Sequence, residues 1–339
     1  MPYIDQFPIK PKHKTPIITI IGDNQYTELT DFMVPYGILK KANISQLFAL
    51  APERGVLEMF PALKIEITTS FDDFDRLHPE GSDIIIVPAI HNAKNPIILK
   101  WLLKQKELGA SFIGICDGVW TLGHAGLLEW HSATGHWYSK DNLIKTFPKT
   151  KWIQNQRYVQ DKNIITTSGV TASIPITIAL IESLVGTKKA KQIALEYGID
   201  TWDPNHNSEI FTFHWKHYTN AAKNLIFFWE HETIGIPILD GIDEVSLALV
   251  ADALARTYKT NVKTISLDQD SIQTISGLKI ITDMKGKENK GIDFIMEIPK
   301  EQKSFTLLKE TLRFIETKHG KRTMEFVNLQ LEFPYESIH

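Results

Sequence analysis

Continuous apolar runs that end in turn residues recur along the chain. Ile17-Ile18-Thr19-Ile20-Ile21 runs into Gly22-Asp23-Asn24, and Ile84-Ile85-Ile86-Val87 runs into Pro88. Runs without polar alternation predict strands buried on both faces, as in a parallel sheet. Residues 46–51, 63–68, 111–115 and 163–167 predict further strands. Between them the period changes. Residues 30–41 place Phe32, Tyr36 and Leu39 on one helical face. Helices are also predicted over 97–108, stopped by Gly109, over 119–128, and over 174–184, closed by Gly186. Strands alternating with helices predict a doubly wound, mainly parallel α/β sandwich of flavodoxin-like type. In such folds the site lies beyond the carboxyl ends of the strands.

The rest of the chain divides around this unit. Residues 1–15 are predicted to be an extended arm and 16–186 the α/β domain. Residues 187–232 form an aromatic-rich connector, expected to be helical, with Trp202, Phe211, Phe213, His214, Trp215, Tyr218, Phe227, Phe228 and Trp229. These rings are either packing or a lid over the site. Within 233–339 earlier features return: Leu63-Lys64-Ile65 as Leu278-Lys279-Ile280, Val87-Pro88 as Ile298-Pro299, and Glu107-Leu108-Gly109 as Lys318-His319-Gly320. The last two matches share one offset, which carries Cys116 onto Val327. The segment is therefore expected to be a truncated, non-catalytic copy of the first half-sheet.

A chain of 339 residues with 43% hydrophobic content suits two domains or one large one. Net charge is −3 and no long basic stripe occurs, which argues against a nucleic-acid partner. A lone cysteine excludes an internal disulfide. No apolar stretch reaches membrane-spanning length, and the proline-rich start does not resemble a signal peptide. A cytoplasmic location is expected, although a chain trimmed of an N-terminal anchor would read the same.

The lone cysteine sits in Gly114-Ile115-Cys116-Asp117-Gly118, at the end of the predicted strand 111–115. This has the form of a nucleophile elbow, G-x-Nuc-x-G. Its glycines allow a sharp turn and close packing of the next helix. The helix start beneath favours a thiolate and an adjacent oxyanion. The other reading is a buried, inert thiol.

The elbow continues as Val-Trp-Thr-Leu-Gly-His-Ala-Gly126, followed by Ala133-Thr134-Gly135-His136-Trp137 and later by Thr167-Ser168-Gly169-Val170-Thr171-Ala172. These motifs, in this order, resemble the ThiJ/PfpI superfamily, relatives of class I glutamine amidotransferases. More narrowly, the chain is similar to the branch of isonitrile hydratases and of the sensor halves of AraC-type regulators. The resemblance implies Cys116 as nucleophile, Asp31 as the acid approaching it, and His136 as a histidine near the thiol. It implies an oxyanion donor at the Asp117 N–H and a second in the loop Ala89-Ile90-His91, where many relatives carry Gly-Gly. Gly118 and Trp137 are expected to line the same site. Many peptidase-like relatives have His after the nucleophile, where this chain has Asp117, and an Asp where this chain has Pro175. A carboxylate at Asp117 would raise the thiol pKa. The helix-turn-helix pair of the regulators is not apparent in 233–339.

His124 is expected to be structural, and His91, Trp202, His206 and Trp215 are weaker candidates for the pocket wall. The histidine spacings match no metal signature, and no nucleotide-binding loop occurs. No cofactor and no metal are therefore expected. The reading is a cysteine-dependent hydrolase, hydratase or lyase-like enzyme acting on a small electrophile, a carbonyl, amide or isonitrile. The alternative is a ligand- or redox-sensing protein without its own DNA-binding domain. A monomer or dimer is expected, with a small molecule as partner.

Overall fold

The computed structural model describes residues 2–226, 229, 231–286 and 291–333; Phe227 and Phe228 of the aromatic connector lie outside the described residues. Seven strands form the main sheet, in the order Tyr158–Asp161, Ile164–Thr167, Ser111–Gly114, Ile84–Val87, Ile17–Ile21, Gln46–Ala51 and Thr69–Ser70. Every neighbouring pair is parallel except the outermost, Tyr158–Asp161 against Ile164–Thr167.

The apolar runs fill both faces, as their lack of alternation predicts. Ile18, Ile20, Ile84, Ile86, Ile113 and Ile165 face one buried cluster, with the helices Leu29–Ala42 and Ser173–Val185. Ile17, Ile21, Ile85, Val87 and Phe112 face the other, with the helix Pro96–Glu107 and the short helix Gly118–His124. From the central strand Ile17–Ile21 the chain goes first to one side and then returns to the other. That leaves a switch point between Ile17–Ile21 and Ile84–Val87, where a crevice opens at the carboxyl ends.

Two predicted elements differ. The helix after the elbow ends at His124 rather than at residue 128, because Gly126 turns the chain at φ +70°. Residues 63–68 do not join the main sheet. Lys64–Ile67 instead forms a hairpin with Gly55–Phe60, and Ile65 and Ile67 are buried while Lys64 and Glu66 are half-buried. That alternation is the mark of a strand with one wet face.

The C-terminal region builds a second, all-parallel sheet in the order Met284–Lys285, Thr260–Ser266, Glu232–Pro237 and Phe294–Ile295. The helix Glu244–Ala255 joins its first two strands, and the hairpin of Ser271–Gln273 with Lys279–Ile281 follows them. Two links tie the regions together. The helices Leu29–Ala42 and Glu244–Ala255 pack side by side. The two hairpins join edge to edge, with Ile65 paired antiparallel to Ile280. After the helix Ser304–His319, Gly320 opens another helix, Lys321–Leu331. Val327 is buried within that helix, so the position offset from Cys116 is not a strand end, and no second elbow forms there.

Candidate functional site

The elbow is built by close approach. The strand Ser111–Gly114 delivers the chain into a turn closed by Gly118 N–H donating to the Ile115 carbonyl at 2.7 Å. The left-handed backbone is carried by Cys116 itself, at φ +52°, rather than by either glycine. A non-glycine residue held there is uncommon and needs local support. The Cys116 N–H donates to Thr167 Oγ1 at 3.0 Å, on the neighbouring strand. The glycines serve packing. A Cβ at Gly114 would lie 2.7 Å from a Leu122 methyl, and one at Gly118 only 2.0 Å from the Val87 carbonyl oxygen.

Cys116 opens onto a cavity of about 640 Å³. Asp117, Trp120, Ala89, Ile90, His91, His136 and Trp137 line it with Cys116, so these calls converge on one place. Gly118 lies behind the elbow rather than on the wall. Of the weaker candidates only His91 reaches the cavity. Trp202 is buried elsewhere, donating Nε1–H to Glu182 at 2.8 Å. His206 pairs with Glu332 at 2.5 Å, and Trp215 points to solvent, 80% exposed. Phe213 and Tyr218 of the connector do line the cavity, Phe213 packing edge-on against Trp137.

Asp31 is fully buried in the first turn of the helix Leu29–Ala42. Its Oδ2 accepts from the Ala89 N–H at 3.1 Å, and its Oδ1 has no partner among the described residues. The Ala89 N–H is therefore committed to the acid rather than free for an oxyanion. The next N–H in the loop, Ile90, makes no hydrogen bond to another described residue. Burial pushes the Asp31 carboxyl well above the usual range, against the Ala89 N–H and Arg256, which hold it down. Burial also pushes the Cys116 thiol up, and Asp31, Asp117 and Glu28 add to that, while the Asp117 N–H opposes it. Asp117 does not cap the helix that follows, and its Oδ1 is buried without a partner.

His136 lines the cavity, with both ring nitrogens engaged by backbone. Its Nε2 donates to the Gln330 carbonyl and its Nδ1 accepts from the Tyr138 N–H, each at 3.3 Å. Trp137 is fixed likewise, donating to the Leu329 carbonyl at 2.9 Å.

Two residues that sequence reasoning missed complete the wall. Glu28 precedes the helix Leu29–Ala42, and its Oε2 accepts from the Asp31 N–H at 2.6 Å. Arg256, from the C-terminal region, reaches across to Glu28 Oε1 at 2.7 Å. Both line the cavity, together with Tyr258, Phe326 and Gln330. Glutamate is not among the favoured N-cap residues, so nothing at Glu28 marked it. The signal for Arg256 was present as Asp252 and Arg256, an i,i+4 pair at the end of a largely apolar helix.

Among the described residues no group of three or more His, Cys, Asp or Glu is placed to hold a metal ion. No helix of the described residues is long and apolar enough to cross a membrane.

Residues 17–183 match the DJ-1/PfpI family, and this domain of the chain belongs to that family. The chain is 29% identical over 174 residues to an isonitrile hydratase of Pseudomonas putida, covering 49% of this chain and 72% of that protein. It is 29% identical over 117 residues to the HTH-type transcriptional regulator CdhR of Pseudomonas aeruginosa, and so spans only 34% of that relative. Among solved structures, DJ-1beta of Drosophila melanogaster is 17% identical, with a TM-score of 0.49, covering 55% of this chain and 99% of that one.

Proposed function

We propose that the protein is a cysteine-dependent enzyme that adds water to, or hydrolyses, a small electrophilic molecule through a covalent adduct on Cys116. The observation that carries this reading is a cysteine held at φ +52° on the wall of a 640 Å³ cavity, with the buried acid Asp31 acting on it. An inert core thiol needs neither the left-handed turn nor the cavity.

In the proposed cycle the Cys116 sulfur bonds to the electrophilic carbon of a carbonyl, amide or isonitrile. The thiol proton passes through Asp31 to the substrate atom that gains the electron pair. The N–H groups of Asp117 and Ile90, two residues that line the cavity, are the proposed donors to charge developing on that atom. Water then adds to the carbon. The C–S bond breaks and a proton returns to sulfur, so the net change is addition of one water, with amide cleavage where a leaving group is present. His136 has a wall role here, because both ring nitrogens are held by backbone. The match to an isonitrile hydratase supports an isonitrile among the first substrates to try.

A second reading is a ligand-sensing protein. The burial of Cys116 at 5% exposure and its raised thiol favour capture of a ligand over oxidation, since the thiolate is the form that oxidises. We also read residues 16–186 as the functional domain, 187–232 as connector and cavity wall, and 233–339 as a partial, cysteine-free second copy. The sheet orders support the copy: Phe294–Ile295, Glu232–Pro237, Thr260–Ser266 and Met284–Lys285 lie side by side as Ile84–Val87, Ile17–Ile21, Gln46–Ala51 and Thr69–Ser70 do, without counterparts among the described residues of the short strand Thr27–Glu28 and the helix Phe71–Leu77.

Turnover of a panel of isonitriles, amides and aldehydes separates the two main readings. The enzyme reading expects product from at least one substrate and none from Cys116→Ala; binding without product by either protein supports the sensor.

A further inference from the structure

Arg256 is the only lysine or arginine lining the Cys116 cavity among the described residues. It caps the C-terminal end of the helix Glu244–Ala255, where the helix dipole favours a cation. Its side chain is almost completely buried, and a buried charge survives only when it is paired. Nε donates to Asp252 Oδ1 and Nη2 to Glu28 Oε1, both at 2.7 Å. The other oxygen of each carboxylate is also taken. Asp252 Oδ2 accepts from Thr30 Oγ1 at 3.0 Å, and Glu28 Oε2 from the Asp31 N–H at 2.6 Å. The chain of bonds thus runs from one region, through Arg256, to the backbone of the residue that acts on Cys116.

The groups facing the sulfur are otherwise anionic or neutral: Asp31 and Glu28 from one helix start, and Asp117 from the elbow. Asp252 stands behind Arg256. Forming a thiolate among these carboxyls is unfavourable without a cation, and Arg256 is the cation on the wall of the same cavity, bonded to Glu28. Asp31 and Asp117 each keep one buried oxygen without a partner among the described residues, whereas both oxygens of Glu28 and of Asp252 are bonded. Burial pushes the Glu28 and Asp31 carboxyls both well above the usual range, and the Arg256 guanidinium, bonded to Glu28 and Asp252, holds both down.

We propose that Arg256 is a positioning residue supplied to the Cys116 site by the C-terminal region: it is the counter-charge against which the thiolate forms, and it locks Glu28 as the cap of the helix that presents Asp31. This rests on the reading of Cys116 as the reactive group. It makes the C-terminal region a part of the reactive unit rather than an appendage.

The test is the pH dependence of Cys116 alkylation by iodoacetamide in the full chain, which reads the thiol without requiring turnover. Arg256→Met is expected to shift the alkylation profile to higher pH, slowing reaction about tenfold at a fixed pH below the midpoint. Glu28→Gln, which removes a carboxyl that acts against the thiolate and leaves the guanidinium, is expected to shift it to lower pH. The double variant is expected to fall between them, and Arg256→Lys to stay near the wild type. Opposite shifts are the signature of charge; a purely structural Arg256 predicts none. An unchanged profile in folded Arg256→Met, or shifts of the same sign in both single variants, would overturn the proposal. If Arg256→Met does not fold, an unchanged profile in Glu28→Gln overturns it alone. Opposite shifts in a protein with no turnover would uphold it while contradicting the enzyme reading.

Discussion

Gly118 and the Val87 carbonyl oxygen are so close that a single methyl group cannot stand between them: a Cβ built at Gly118 would lie 2.0 Å from that oxygen. The strand Ile84–Val87 and the elbow therefore lock together through backbone, at the end of the sheet where the cavity opens. The next nearest atom to such a Cβ is the Pro88 carbonyl oxygen, so the loop bearing Ala89 and Ile90 is set by the same contact.

Gly118→Ala should accordingly disturb the loop as well as the elbow. Overpacking against backbone typically costs about 1–3 kcal/mol, and we expect a loss of that size in urea unfolding together with loss of Cys116 reactivity. A variant of wild-type stability would show that the contact is looser than described.

Thr167 supports the strained cysteine from the other side. Thr167→Val keeps the shape but leaves the buried Cys116 N–H without its acceptor, which costs about 1–3 kcal/mol. Thr167→Ser should retain most of the stability. Equal stability of the Val and Ser variants would contradict this role.

Much of this was legible in the chain. Unbroken apolar runs such as Ile84-Ile85-Ile86-Val87 fixed the buried strands, because no wet face interrupts them, and the pentapeptide around Cys116 fixed the elbow. The strand predicted at 63–68 is present but stands outside the main sheet, and the alternation of Lys64, Ile65, Glu66 and Ile67 is a pattern a doubly covered strand does not show. Glu28 carried no mark, and the spacing of Asp252 and Arg256 did not say where the guanidinium docks. Glu28 and Arg256 meet across 228 residues, through the packing of two helices, and no local pattern encodes such a pairing. Val327 was misplaced because the sequence offset continued past Gly320, where the chain turns into a helix rather than a strand.

Asp31 makes stability depend on pH with a definite sign. Its carboxyl is raised in the folded protein, so the native state binds the extra proton. Its favourable contribution is full below the unfolded value, about 4, and is lost as pH rises through the folded value. Asp31→Asn removes the titration. We expect the variant to gain stability relative to the wild type between pH 5 and pH 8, measured by urea unfolding at each pH. A difference that does not change with pH would contradict a buried, protonated Asp31.

The hairpin edge of Lys64–Ile67 is occupied within the chain by Lys279–Ile281, and the helix face beside it by Glu244–Ala255. A second copy cannot use that face. Light scattering should find a monomer, or a dimer formed elsewhere; a tetramer or higher ring would contradict it. Ile280→Glu, which sets a charge against Ile65 at the junction, should loosen the two regions and lower stability by about 2–4 kcal/mol, the range for losing a buried aliphatic contact.

The central claim is that Cys116 forms and releases a covalent bond with its substrate. Intact-protein mass spectrometry during exposure to a small isonitrile and to a small aldehyde, run alongside product assay, tests it most directly. The account predicts a transient mass increase confined to Cys116, product released in amounts exceeding the protein, and neither in Cys116→Ala. Product formed at equal rates by wild type and Cys116→Ala would contradict it.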